Sequence, residues 1–224
     1  MTGDVHVVFG SGPVGRATAV TLVGRGLPVR VVNRRGRAAF GRDAEALREV
    51  DVATGDVTDA AFATRAAQGA ASVYQTLNPE YHRWAEDFPP LQRSVLAAAE
   101  GNGARFVNMD NVYSYGRPGG QPLTEESPQE PHTRKGRVRL DMADELWAAH
   151  RAGRVEVVSG RAAHGAGAED DVHVARHTRP FIVARAESSS GRQRRGAPVG
   201  GIRAAGWIIG NPVPSRNSIH CSVM

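Results

Sequence analysis

The chain has 224 residues, 41% of them hydrophobic, enough to bury the core of one large α/β domain or of one domain and a small lobe. No stretch approaches the ~18 consecutive apolar residues that a bilayer span requires, no basic segment followed by a long apolar one marks a signal peptide, and the single cysteine, Cys221, excludes an internal disulfide framework and a multi-cysteine zinc site. The formal charge of +5 is uneven, with 20 basic and 19 acidic side chains in residues 1–164 and 8 and 4 in residues 165–224, so a cytoplasmic protein is expected and a nucleic-acid surface is not.

In chain order, Val5-His6-Val7-Val8-Phe9 is a short apolar run that ends in glycines, and residues 14–23 fit a helix. A second β-branched run, 29–32, ends in Asn33-Arg34-Arg35-Gly36. Residues 43–49 fit a short helix, and 50–53 a third strand followed by Gly55-Asp56-Val57. Thr58-Asp59 can cap a helix that runs to Gln68. A fourth strand spans 71–76. A long helix follows from Pro90 to about Glu100, closed by Gly101-Asn102-Gly103. Residues 105–109 form a fifth strand, 116–131 a Pro/Gly-rich loop, 136–151 an amphipathic helix and 155–158 a sixth strand. Strands separated by helices predict a doubly wound, parallel-sheet Rossmann α/β fold over residues 1–164. The pattern then stops: residues 165–224 form an Arg/Gly-rich tail in which only Trp207-Ile208-Ile209 is strongly apolar.

Gly10-Ser11-Gly12-Pro13-Val14-Gly15 fits G-x-G-x-x-G, between a strand and a helix as a dinucleotide fingerprint requires. Gly10 permits the turn, Gly12 removes the side chain where pyrophosphate approaches, and Gly15 allows close helix packing. Pro13 suits the first helical position, and the free N–H groups there suit phosphate. At the end of the second strand, where NAD-binding chains carry an acid, stand Asn33, Arg34 and Arg35; arginine geometry suits a 2′-phosphate, so NADP is expected over NAD. Asp56 can accept from the adenine amino group while Val57 covers the ring; capping of the next helix is the alternative for Asp56. Thr76 and Leu77, at the end of the fourth strand, complete the expected cofactor set.

The glycine loop, Gly55-Asp56-Val57-Thr58-Asp59, Asn111-Val112-Tyr113-Ser114-Tyr115-Gly116 and the loop from Leu123-Thr124-Glu125 to Pro131 together resemble the extended and atypical short-chain dehydrogenases/reductases of the NAD-dependent epimerase/dehydratase type, over roughly residues 4–165. That resemblance implies a Tyr-x-x-x-Lys pair, in which the tyrosine exchanges a proton with the substrate oxygen and the lysine binds the nicotinamide ribose. None of the four tyrosines has a lysine four residues later. Lys135, the only lysine in the chain, stands where the tyrosine belongs, and Arg139 where the lysine belongs.

Three readings follow. Lys135 could donate the proton, its pKa lowered by Arg139 and desolvation. Tyr113 could donate it with Lys135 on the ribose. Or the site binds cofactor without hydride chemistry. The expected function is an NADP-dependent oxidoreductase or epimerase/dehydratase, with an NADP-binding sensor or interaction module as the alternative. The expected partners are the dinucleotide and a small-molecule substrate that the sequence does not name, with a homo-oligomer as a further option. No metal site is expected. His132 and Glu125 read as loop residues, and His164, His173, His177 and His220 are assigned no role. Family members continue into a substrate-binding lobe, so the tail suggests a truncated or frameshifted chain, or else a divergent segment.

Overall fold

The computed structural model describes residues 4–117, 119, 123–124, 126–162 and 182–185. Its seven-stranded sheet contains β1 (Val5–Phe9), β2 (Val29–Asn33), β3 (Asp51–Thr54), β4 (Ala70–Gln75), β5 (Arg105–Asn111), β6 (Val157–Ala162) and β7 (Ile182–Arg185), in spatial order β3-β2-β1-β4-β5-β6-β7. The first six strands are parallel, and β7 pairs antiparallel with β6. The order 3-2-1-4-5-6 is that of the Rossmann fold, whose ligand crevice lies beyond the carboxyl ends of the strands where the chain order reverses, here between β1 and β4.

Helices α1 (Pro13–Val23), α2 (Ala60–Ala66), α3 (Trp84–Asn102) and α4 (Arg134–Arg151) connect the strands. Val7 and Phe9 of β1 pack into the main core with Val73, Phe106 and Leu146, while Val8 packs into a second core with Leu22, Val31, Phe40 and Leu47. Both faces of the central strands are thus covered, which is why β1 reads as an unbroken apolar run rather than an alternating one. Among the described residues no helix is long and apolar enough to cross a membrane.

Three elements differ from the sequence expectation. Residues 43–49 do not form an α-helix. A 3-10 segment, Gly36–Asp43, kinks at Gly41 (φ 52°) and passes into turns. Arg37 donates there to the carbonyls of Leu47, Arg48 and Val50, and Arg16 holds the Asp43 carboxylate at 2.7 Å, so side chains from outside the segment pin it as a run of turns. Helix α3 begins six residues before Pro90 and keeps Pro89 and Pro90 inside it. The buried anchors Trp84 and Phe88 hold this turn against the loss of two backbone donors. Strand β7 lies in the segment expected to lack elements. The segment 186–224 and the histidines at 164, 173, 177 and 220 lie outside the described residues, as does Glu125.

Candidate active site

The glycine loop closes the end of β1. The Gly10 N–H donates to the Val32 carbonyl at 3.0 Å, and the Thr76 N–H and Oγ1 donate to the Phe9 carbonyl at 3.0 and 2.8 Å. The carboxyl ends of β1, β2 and β4 are therefore level. The three glycines answer to different constraints. Gly10 has φ 113°, and a Cβ there would lie 2.8 Å from Thr76 Oγ1. At Gly15 a Cβ would lie 2.2 Å from the Gly10 carbonyl oxygen, inside any tolerable contact. At Gly12 it would meet no protein atom within 4 Å. Gly12 is the N-cap of α1 and supplies no side-chain cap, and Pro13 follows at the helix start. The first and third glycines are thus needed by the fold, whereas the second leaves open space in front of a helix N-terminus.

On the β2–β3 side, Asn33 is buried. Its Oδ1 accepts from the Arg35 N–H at 2.8 Å, and its Nδ2 has no partner among the described residues. Arg34 and Arg35 are exposed. Asp56 is also exposed; the Thr58 N–H, donating at 2.9 Å, lowers its pKa, with a smaller contribution from Arg34. The cap of α2 is Asp59, whose carboxylate accepts from the N–H groups of Ala61 and Phe62, and not Asp56. Val57 is 4% exposed within the main core, and Leu77 is half-buried, its N–H donating to Gln75 Oε1 at 3.3 Å. Ser11 offers its carbonyl to Arg16 at 3.1 Å.

On the β4–β6 side, Tyr113 follows β5 in a 3-10 turn capped by the Asn111 carboxamide. Its ring packs on Trp84 with centroids 5.7 Å apart. Burial first, and then hydrogen bonding to Tyr81 and the charge on it, push the Tyr113 pKa up to about 12. Lys135 occupies the first turn of α4, whose cap, Thr133, accepts from the Gly136 N–H at 3.0 Å. A Cβ on Gly136 would lie 2.4 Å from the Tyr113 carbonyl oxygen, so glycine is what lets the helix start reach the Tyr113 backbone. Lys135 Nζ sits 3.8 Å from the centroid of the Tyr81 ring.

Arg139 does not stand open at the site. It is 3% exposed, with Nε donating to Asp110 Oδ1 at 2.9 Å, a second nitrogen paired to the same oxygen, and further contacts to the Met109 carbonyl and the Phe88 ring. Asp110 also receives Arg161 Nε at 3.3 Å, and Arg161 donates to the Tyr115 hydroxyl at 2.8 Å and to Gln129. Burial disfavours the Arg161 charge, but Asp110 and Tyr115 outweigh it and raise its pKa. The sequence reading missed Asp110, Arg161 and Tyr81. For Asp110 a signal existed: Asn108 and Asp110 fall on alternate positions of β5, both on its buried face.

A family model described as the NAD dependent epimerase/dehydratase family matches residues 6–196. The chain belongs to this family. The match runs past residue 164, into the segment whose likeness the sequence reading did not follow. Solved structures similar to this epimerase/dehydratase chain include the UDP-glucose 4-epimerase of Brucella ovis in complex with NAD, at 22% identity and a TM-score of 0.60, covering 70% of this chain and 51% of that one. The dTDP-glucose 4,6-dehydratase of Streptomyces venezuelae, with NAD and TYD bound, is 21% identical with a TM-score of 0.61, over 70% and 55% of the two chains. The enzyme WbmG of Bordetella bronchiseptica in complex with NAD is 26% identical with a TM-score of 0.56, over 69% and 51%. This chain spans about half the length of these proteins. No protein of curated function matches the sequence.

Proposed function

We propose that this epimerase/dehydratase chain binds a nicotinamide dinucleotide across the carboxyl ends of its strands, prefers NADP, and acts on a small-molecule substrate as an oxidoreductase or epimerase/dehydratase. The observation that carries the reading is the open space at Gly12 beside the uncapped start of α1. A pyrophosphate needs close backbone approach and free N–H donors, and this cradle offers both. Gly10, Ser11, Pro13, Val14 and Gly15 shape it, with Thr76 and Leu77 at its far wall. Asn33 brings no carboxylate to the end of β2, and the exposed guanidiniums of Arg34 and Arg35 suit a 2′-phosphate. Asp56 is the adenine-side acceptor in this reading, and buried Val57 supports the turn that carries it.

A bound nicotinamide supplies or accepts a hydride. On the reaction side, Tyr113 is the donor toward a substrate oxygen in this reading; with its pKa pushed up to about 12 it is a weaker acid than a free phenol, so a neighbouring cation has to stabilise the phenolate as it forms. Lys135 adds an ammonium beside it, and Arg139 positions α4 through Asp110. Since two similar proteins are named for UDP-glucose and dTDP-glucose, nucleoside-diphosphate sugars are the first substrates to screen. A cytoplasmic setting fits a chain with one cysteine. One observation favours a second reading, a cofactor-binding module without turnover: the positions of the family's Tyr-x-x-x-Lys pair hold Lys135 and Arg139, and Arg139 is locked to Asp110.

Calorimetric titration with NADPH and separately with NADH tests the cofactor reading. NADPH should bind about tenfold or more tighter, a difference of about 1.4 kcal/mol. Equal affinities would overturn the NADP preference, and binding of neither would overturn the cofactor site. Turnover of a sugar nucleotide would separate the enzyme from the module.

A further inference from the structure

Tyr81 belongs to no motif that the family resemblance supplied, yet it is the one exposed large hydrophobic side chain among the described residues, 55% open to solvent. It lies in the 3-10 turn Tyr81–Arg83, between β4 and α3. An exposed aromatic on a loop is ordinarily free to move, but this one is held from three sides. Its ring meets Trp84 edge-on at 5.1 Å, Lys135 Nζ lies 3.8 Å from its centroid, and its phenol is close enough to that of Tyr113 to help raise the Tyr113 pKa. The loop beneath is pinned by buried Trp84, whose Nε1 donates to the Pro79 carbonyl at 3.2 Å. Elements after β4, after β5 and at the start of α4 thus bring two phenols and an ammonium to one place.

The topology says which part of a dinucleotide reaches that place. With pyrophosphate at Gly12 and the adenine end over β2 and β3 beside Arg34, the other nucleoside lies across the switch point, over β4 and β5. Its ribose presents two vicinal hydroxyls, each able to donate and accept. The Lys135 ammonium offers donors only, and the two phenols offer both roles.

We propose that Tyr81, with Tyr113 and Lys135, forms the binding site for the nicotinamide ribose in this chain, built from three separate elements in place of the helix-borne Tyr-x-x-x-Lys pair. This rests on the cofactor reading above and assigns its second half. Tyr81 is a binding residue here: it anchors the ribose hydroxyls and, through its contact with Tyr113, holds that phenol at the reacting end.

The test compares each dinucleotide with the fragment that lacks nicotinamide and its ribose. Wild type, Tyr81→Ala, Tyr81→Phe and Lys135→Met are titrated with NADPH and with 2′-phospho-ADP, and in parallel with NADH and ADP. Tyr81→Ala and Lys135→Met should each weaken the dinucleotide about tenfold and leave the fragment within about twofold, since each removes ribose contacts alone. Tyr81→Phe keeps the ring and should lose about threefold on the dinucleotide only, one hydrogen bond's worth. Because Tyr81 is half exposed, thermal unfolding should move little in either Tyr81 variant. Equal weakening of dinucleotide and fragment, or weakening of neither, would overturn this assignment while the adenine-side reading stands. A wild-type chain that binds the fragments as tightly as the dinucleotides would overturn it as well. A wild-type chain that binds none of the four ligands would remove the cofactor reading and this assignment with it.

Discussion

The β1–β3 half of the crevice and the β4–β6 half are built on different principles. In the first, the decisive features belong to the backbone: a positive φ at Gly10, an absent Cβ at Gly12, and a close approach of Gly15 to the Gly10 carbonyl. In the second they belong to side chains gathered from four places: Tyr81 after β4, Asp110 and Tyr113 at the end of β5, Lys135 and Arg139 on α4, and Arg161 on β6. A backbone-set site survives many substitutions around it and fails at one or two glycines. A side-chain-set site divides its labour, so loss of a hub should unfold it and loss of a rim residue should only weaken it.

The largest expected effect is at the hub. Asp110→Ala leaves two buried guanidiniums without their carboxylate and should cost about 3–5 kcal/mol of unfolding free energy in urea titration. A loss under about 1 kcal/mol would mean that the cluster is not the organiser of its half. Next, Gly15→Ala forces a 2.2 Å contact and should destabilise by about 1–3 kcal/mol or more, whereas Gly12→Ala should cost no more than about 1 kcal/mol yet weaken the dinucleotide at least about tenfold. If the two alanines behave alike, the division between fold glycine and ligand glycine is wrong. Arg34→Ala should weaken NADPH about tenfold and leave NADH unchanged, read by calorimetry.

The smallest effect lies away from the crevice. Burial, helped by the positive charge of Arg105, holds His6 below its ordinary 6.5 as its ring nitrogen meets the Tyr74 hydroxyl at 3.0 Å. The unfolded chain then takes up this proton first as pH falls. Stability should decline from about pH 6.5 downward until His6 titrates within the fold, and His6→Gln should flatten that slope in melting temperatures measured between pH 7.5 and 5.

The same division explains what the sequence revealed. The six parallel strands and their alternation with helices were legible because both-face burial writes apolar runs, and the glycine loop because each glycine answers to a local backbone demand. The expectation for residues 43–49 failed because Arg37 and Arg16, which lie outside the segment, pin its carbonyls and the Asp43 carboxylate in turns that the local pattern does not reveal. The start of α3 was misplaced because prolines mark helix starts locally, while Trp84 and Phe88 are anchored by tertiary packing. The pairing of Lys135 with Tyr81, 54 positions earlier in the chain, has no local signature at all. Arg139 was legible as a substituted position, but its Asp110 partner was not, although a carboxylate on the buried face of a strand carried the hint.

That partnership has a consequence for the ancestry and redesign of the site. Changing Lys135 to tyrosine and Arg139 to lysine would restore the family's letters without its chemistry. A lysine at 139 cannot reproduce the forked donors that grip Asp110 and reach the Met109 carbonyl, so it would be drawn to the stranded carboxylate instead of to the crevice. Reversal would require Asp110 to change in the same step, and Arg161 to find another counter-ion. The second half of the site is thus historically locked, and a designer seeking the standard pair would have to rebuild the floor before replacing what stands on it.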